Sequence, residues 1–268
     1  MKKINLTLIL AAIISVALAF AVSCNKEPEP EPEPTPTPVP DPDPDVPLPE
    51  NCFKDIDGNV YEMITLGTQT WMKENLKVKH YADGTPLADA TDDRAVADTM
   101  PSYTYPDLRP HNFERYGLLY DWKTATREEF SYRIPSGVQG ICPDGWHMPS
   151  PREWQKLADY LKSQTEYQCD ATAANIAKSM CLDTLWQEEK SYPACSPMHD
   201  PKTNNLTGFS IVPAGTEEMG IGDCAMFWTT GEKYSMNGET FSIWGNKAET
   251  STSQSTKTHK LSVRCVKN

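Results

Sequence analysis

Eleven prolines fall between Pro28 and Pro49, alternating with Glu, Thr and Asp over most of that stretch. Proline lacks a backbone N–H and fixes φ, so such a segment can neither close a helix nor pair into a sheet. With almost no apolar side chains it also buries nothing. It should extend as polyproline II at about 3.1 Å per residue and hold whatever follows roughly 70 Å from its start. Eight acidic residues against Lys26 across residues 24–50 add self-repulsion. All folding is therefore confined to the remainder, and with no second linker residues 51–268 read as one domain.

What precedes the prolines has the build of an export signal. Met1-Lys2-Lys3 is followed by an apolar run from Leu6 to Val22. That run is shorter than the ~20 residues a spanning helix needs. A basic start, an apolar middle and small residues before a cut describe a secretory leader. Ala21-Val22-Ser23-Cys24 resembles a bacterial lipobox. The expectation is a signal peptide at 1–23, lipid on Cys24, an acidic tether at 24–50 and a domain at 51–268. The acidic run after Cys24 is similar to surface-export signals of Bacteroidetes lipoproteins, which implies an outer-membrane protein exposed at the cell surface. Loss of Lys2 and Lys3 with the leader takes the net charge from −12 to −14, half of it in the tether. A domain at −7 argues against nucleic acid as a partner and against direct docking on anionic lipid.

Within the domain, Asp55 to Asn59 is a turn composition, and Val60 to Leu66 with Trp71-Met72 reads as a hairpin. Asp55, Asp57 and Asn59 alternate as in a calcium loop, but the glycine and distal Glu are not at the required spacing, so an acidic turn is the reading. Tyr116 to Trp122 is a short strand running into a short helix that reaches Glu129. The clearest element is Cys142-Pro-Asp-Gly-Trp-His-Met-Pro-Ser-Pro-Arg-Glu-Trp154. Ser150, Pro151 and Glu153 spell an N-cap, N1 and N3, and Trp154, Leu157, Ala158 and Leu161 form one apolar stripe. A second, weaker helix is expected over Asp170–Met180, capped by Asp170, with Trp186 closing the core behind it. Residues 187–205 are loop-like. Phe209 and Ile211, Met226 to Trp228, Phe241 to Trp244 and Leu261 to Val266 are short strands, with Gly245 to Lys260 a polar loop. The class is α+β.

Several blocks resemble one family. Gly67-Thr-Gln-Thr-Trp-Met-Lys-Glu-Asn-Leu76, Tyr116-Gly-Leu-Leu-Tyr-Asp-Trp122, Cys142 to Ser150, Gly208-Phe-Ser-Ile-Val-Pro-Ala-Gly215 and Ser262-Val-Arg-Cys-Val266 are similar, in order, to the Fibrobacter succinogenes major paralogous domain. Residues 88–115 look expanded against that pattern. Trp146 to Trp154 and the Val-Arg-Cys strand also resemble, more distantly, the formylglycine-generating enzyme and sulfatase-modifying factor superfamily. That resemblance implies a C-type-lectin-like fold with two main helices, short antiparallel strands and long irregular loops.

Catalytic patterns are wanting. The formylglycine-generating chemistry needs two cysteines a few residues apart, whereas Cys224 and Cys265 stand far apart. The histidines are scattered, no Cys-x-x-Cys occurs, and no Gly-x-Ser-x-Gly, phosphate loop or His-Glu-x-x-His is present. His147, between Trp146 and Met148, reads as a structural hydrogen-bonding group. We therefore expect no enzyme, cofactor or metal, but a ligand-binding module for an extracellular glycan or surface protein. The alternative is a structural or adhesin subunit of a surface fibre or outer-membrane complex. Trp228, Trp244 and Tyr234 near the late loops are candidate sugar-stacking residues, with Asp223, Glu232 and Asn246 as polar contacts; the competing reading puts Trp228 and Trp244 in strand cores. Seven cysteines after Cys24 are disulfide candidates in an exported chain, and their odd number leaves at least one unpaired. The pairing expected is Cys142 with Cys265; Cys169 with Cys181 could then staple the second helix and Cys195 with Cys224 the loop region, with Cys52 spare, and these further pairings stay open.

Overall fold

The computed structural model describes residues 47–92, 96, 100–170 and 172–268. The leader, Cys24 and nearly all of the tether lie outside the described residues, and residues from Pro47 onward form one compact unit. In chain order its strands are β1 (Cys52–Lys54), β2 (Val60–Leu66), β3 (Gln69–Met72), β4 (Ala88–Asp89), β5 (Ser102–Thr104), β6 (Leu119–Tyr120), β7 (Trp146–His147), β8 (Cys224–Lys233), β9 (Asn237–Trp244), β10 (Thr250–Thr256) and β11 (Val266–Lys267). The α-helices are α1 (Phe113–Tyr116), α2 (Trp122–Thr126), α3 (Pro151–Ser163) and α4 (Ala177–Met180). The architecture is α+β. Its strands form a five-stranded sheet in the order β1-β2-β3-β11-β7, a hairpin-built sheet β10-β9-β8, and a small sheet β4-β5-β6.

The expected hairpin is β2 and β3, joined by Gly67-Thr68 with Leu66 opposite Gln69. Gly67 takes a φ of +63°, the backbone that a two-residue hairpin turn demands and that glycine adopts without strain. The helix α3 is capped as its sequence spells. Ser150 Oγ accepts the Glu153 N–H, and the Glu153 carboxylate accepts the Ser150 N–H. Its inner face of Trp154, Leu157, Ala158 and Leu161 is buried.

Two buried clusters flank the central strands, and neighbouring residues of one strand go to different clusters. Trp71, Phe227 and Val266 join Trp154, Phe209 and Phe241 in one. Met72, Trp228 and Cys265 join Tyr120, Trp122 and Trp146 in the other. This is period-two alternation with both faces buried. Trp154 is the hub of the first cluster, stacked on Phe241 at 4.2 Å between ring centroids and tilted against Trp71 at 4.5 Å. Arg264 is fully buried between the Phe209 and Phe227 rings. Its Nη atoms donate to the Phe209 carbonyl at 2.6 Å and to Asn75 Oδ1 at 3.0 Å, and burial lowers its pKa to about 9.

Three expectations are corrected. Instead of two main helices there is one of 13 residues; the second is the single turn α4. Asp170 caps nothing: its carboxylate accepts the Thr172 N–H and the Asn175 side chain, folding a local turn that competes with helix. Within the stretch expected as a polar loop after Gly245 runs β10, paired with β9 over seven residues. The cysteine pairing also differs. Cys142 bonds Cys265, but Cys169 bonds Cys195, leaving Cys52, Cys181 and Cys224 free. Cys169 and Cys195, offered as partners for Cys181 and Cys224, are bonded to each other, and Cys181 and Cys224 lie buried in the two core clusters.

Candidate ligand-binding site

The residues chosen from sequence do not form one site. Trp228 is buried in the core with its indole Nε1 donating to the Tyr120 carbonyl at 2.7 Å, so it is a packing residue, and the strand-core reading holds for it. Cys224 lies opposite Trp244 in the β8–β9 ladder, which places Asp223, Trp244 and Asn246 at one end of that hairpin. Glu232 and Tyr234 lie at the other end, beside the turn that links Lys233 to Asn237. Most of the length of β8 separates the groups, about 30 Å at strand rise from Asp223 to Glu232. Trp244 is half-buried and has Lys247 Nζ 5.7 Å from its ring, while Glu232 is ion-paired with Lys257. Tyr234 is 74% exposed.

A better-formed concavity lies where α4 meets the loop that follows the Cys195 bridge. It has a volume of about 330 Å³, and its lining includes Cys169, Lys178, Ala194, His199, Asp200 and Leu206. That volume is at the lower end for small-molecule sites and suits a single small polar ligand. The walls are built by backbone bonds. Asn205 N–H donates to the Lys178 carbonyl and Thr207 N–H to the Ser179 carbonyl, laying the 200–207 segment against α4. The Cys169–Cys195 bridge pins the opposite wall, and Ala194 beside it takes a bond from Lys178.

Three side chains here have hydrogen-bonding capacity to spare. Lys178 is only 6% exposed, and its Nζ donates to the Ala194 carbonyl at 3.3 Å. Burial lowers its pKa, opposed by the charge of Asp200. Among the described residues it forms no ion pair, and the Asp200 carboxylate has no hydrogen-bond partner. His199 Nδ1 faces the Tyr192 carbonyl at 2.9 Å. A carbonyl can only accept, so Nδ1 carries the proton and Nε2 of the neutral ring is left as an acceptor. Ser179 Oγ is already committed to the Ile176 carbonyl at 2.8 Å and is not activated by any base. Leu206, 60% exposed, supplies an apolar rim. Among the described residues no group of three or more His, Cys, Asp or Glu stands close enough to hold a metal.

Compared with known proteins, residues 64–267 match the Fibrobacter succinogenes major domain. The chain belongs to that family. No curated protein and no solved structure matches it. Every residue of the pocket lies within the Fibrobacter succinogenes major domain, whereas β1 and the first residues of β2 precede the matched region. Sequence reasoning missed the pocket because its parts come from a stretch that reads as weak helix and another that reads as loop. Lys178 and His199 are brought together by the Cys169–Cys195 bridge, a pairing that cysteine spacing does not reveal.

Proposed function

We infer that this is a cell-surface lipoprotein, anchored through lipid on Cys24 and held off the outer membrane by its proline-rich tether. Its domain is a non-catalytic module on a C-type-lectin-like scaffold, and it binds glycan in the Lys178 pocket. The observation that carries this reading is the convergence of one buried ammonium, one free carboxylate and one imidazole acceptor on a pocket with an apolar rim. Sugars present hydroxyls, which both donate and accept, beside apolar C–H faces, and such a mixed lining suits them. The non-catalytic part of the reading is supported by the committed Ser179 hydroxyl and by the free thiols of the core. Burial pushes the Cys224 thiol up to about 12 and Cys181 well above its ordinary value, so neither is a ready nucleophile.

A glycan array read at neutral pH, with and without calcium, tests it. Binding that is lost on Asp200→Ala, with the melting temperature retained, is the expected result. Absence of glycan binding together with co-purification of one fixed protein partner would instead make the chain a subunit of a surface assembly.

A further inference from the structure

A glycan reading leaves the charge of the pocket unaccounted for. An ammonium taken out of water without a carboxylate bonded to it is unfavourable, and buried lysines are ordinarily paired. Lys178 is paired with no carboxylate among the described residues; its Nζ has one long bond to a neutral carbonyl and two protons left over. Elsewhere in this protein the same problem is solved internally. Lys260, 1% exposed, bonds Asp121 Oδ2 at 2.8 Å and both oxygens of Ser102. Lys178 differs in lining an open concavity, so its partner can come from outside.

We propose that the pocket selects an acidic sugar, one whose ring carries a carboxylate, with that carboxylate on Lys178 Nζ and the ring hydroxyls on Asp200 and His199. The proposal rests on the glycan reading above and names the class of glycan. A carboxylate on a desolvated ammonium makes charge-assisted hydrogen bonds about twice as strong as those a neutral hydroxyl can offer. Asp200 limits the choice further. Its charge bears on Lys178 without being bonded to it, and it would repel a dianionic group such as a phosphate monoester more than a single carboxylate. Its free oxygens are positioned in the same lining to accept sugar hydroxyls. Leu206 at the rim gives the ring's C–H face an apolar contact.

The test is calorimetric titration of the disulfide-intact protein with glucuronate, galacturonate and N-acetylneuraminate. Glucose, galactose and the methyl esters of the acids serve as neutral counterparts, and a polyuronate separates free acid from chain-borne acid. At least one acid should bind tenfold or more tightly than its methyl ester. Lys178→Gln should bring acid and ester to the same affinity, and Lys178→Arg should retain the preference for the acid. Circular dichroism melts show whether each variant is folded. Equal affinity of acid and ester for the unaltered protein overturns the acidic-sugar proposal and leaves the glycan reading standing. Failure of every sugar to bind overturns both.

Discussion

His147 and Glu153 face each other across the turn that opens α3, with imidazole Nε2 and carboxylate Oε1 2.7 Å apart and both residues buried. The same carboxylate takes the N–H groups of Ser150 and Ser136 on its other oxygen, at 2.9 and 3.1 Å. His147 Nδ1 meets Asn268 Oδ1 at 2.7 Å. One glutamate therefore caps the helix, fixes a loop and holds a histidine that links to β11.

That pair predicts a pH dependence. Burial acts to lower the His147 pKa, but the hydrogen bond and charge of Glu153, with the bond to Asn268, outweigh it and the pKa is raised. A raised folded-state value means stability that is fully present below the ordinary histidine value near 6.5 and is lost as pH climbs through the folded value. Urea midpoints should fall as pH rises above about 6.5, and His147→Gln should flatten that slope. A slope unchanged in the variant would show the pair to be uncoupled from folding. Glu153→Ala should destabilise by about 2–4 kcal/mol, losing the cap and orphaning the ring.

Lys260 and Asp121 form a second buried ion pair, and Asp121 also caps α2 by accepting the Thr124 N–H at 2.7 Å. Asp121→Ala leaves the ammonium with only Ser102 as partner and should cost about 3–5 kcal/mol in chemical denaturation. Replacing both members with apolar residues of similar size should be much milder than the single change. If the double variant is as damaged as the single one, capping rather than charge burial dominates.

Trp228 and Tyr234 should separate cleanly. Trp228→Ala opens the core and removes a buried hydrogen bond, for a loss of about 3–5 kcal/mol. Tyr234→Ala, on the exposed hairpin turn, should change stability by no more than about 0.5 kcal/mol. Glycan affinity that falls with Tyr234→Ala would move the binding surface from the Lys178 pocket to the hairpin end.

Peptide mapping without reductant should recover Cys142 linked to Cys265 and Cys169 linked to Cys195. Cys181 and Cys224 should alkylate only after unfolding, because both are buried with raised pKa values. Removing the longer bridge by Cys142→Ser with Cys265→Ser should lower stability by about 2–5 kcal/mol. Removing the shorter one should cost less stability but abolish ligand binding, since it pins the wall bearing Ala194.

How much of this was legible beforehand depended on range. The α3 cap and the β2–β3 hairpin are determined within a few residues, and Ser150, Glu153 and Gly67 carried them plainly. The 170–180 segment misled because Ala173, Ile176, Ala177 and Met180 have helical spacing, while the Asp170 side chain closes a competing turn. Strand β10 escaped notice because Thr250-Ser-Thr-Ser-Gln-Ser-Thr256 is half exposed, with no apolar alternation to betray its pairing. Trp228 offered both roles, since a tryptophan on a short apolar run looks alike in a core and at a binding face. The pocket was least visible, as the groups that make it meet only through the Cys169–Cys195 bridge.

The place of β11 has a consequence for how the domain comes into being. Val266 pairs with Trp71 on one side and His147 on the other, so the middle of the five-stranded sheet joins segments nearly 200 residues apart. The early hairpin can form by itself, but its next neighbour is among the last parts of the domain to be synthesised. Such high contact order makes folding slow and late. During that interval the β3 edge at Trp71 and Met72 lacks its hydrogen-bonding neighbour and stands as an open strand edge, the kind of surface on which incomplete chains mispair.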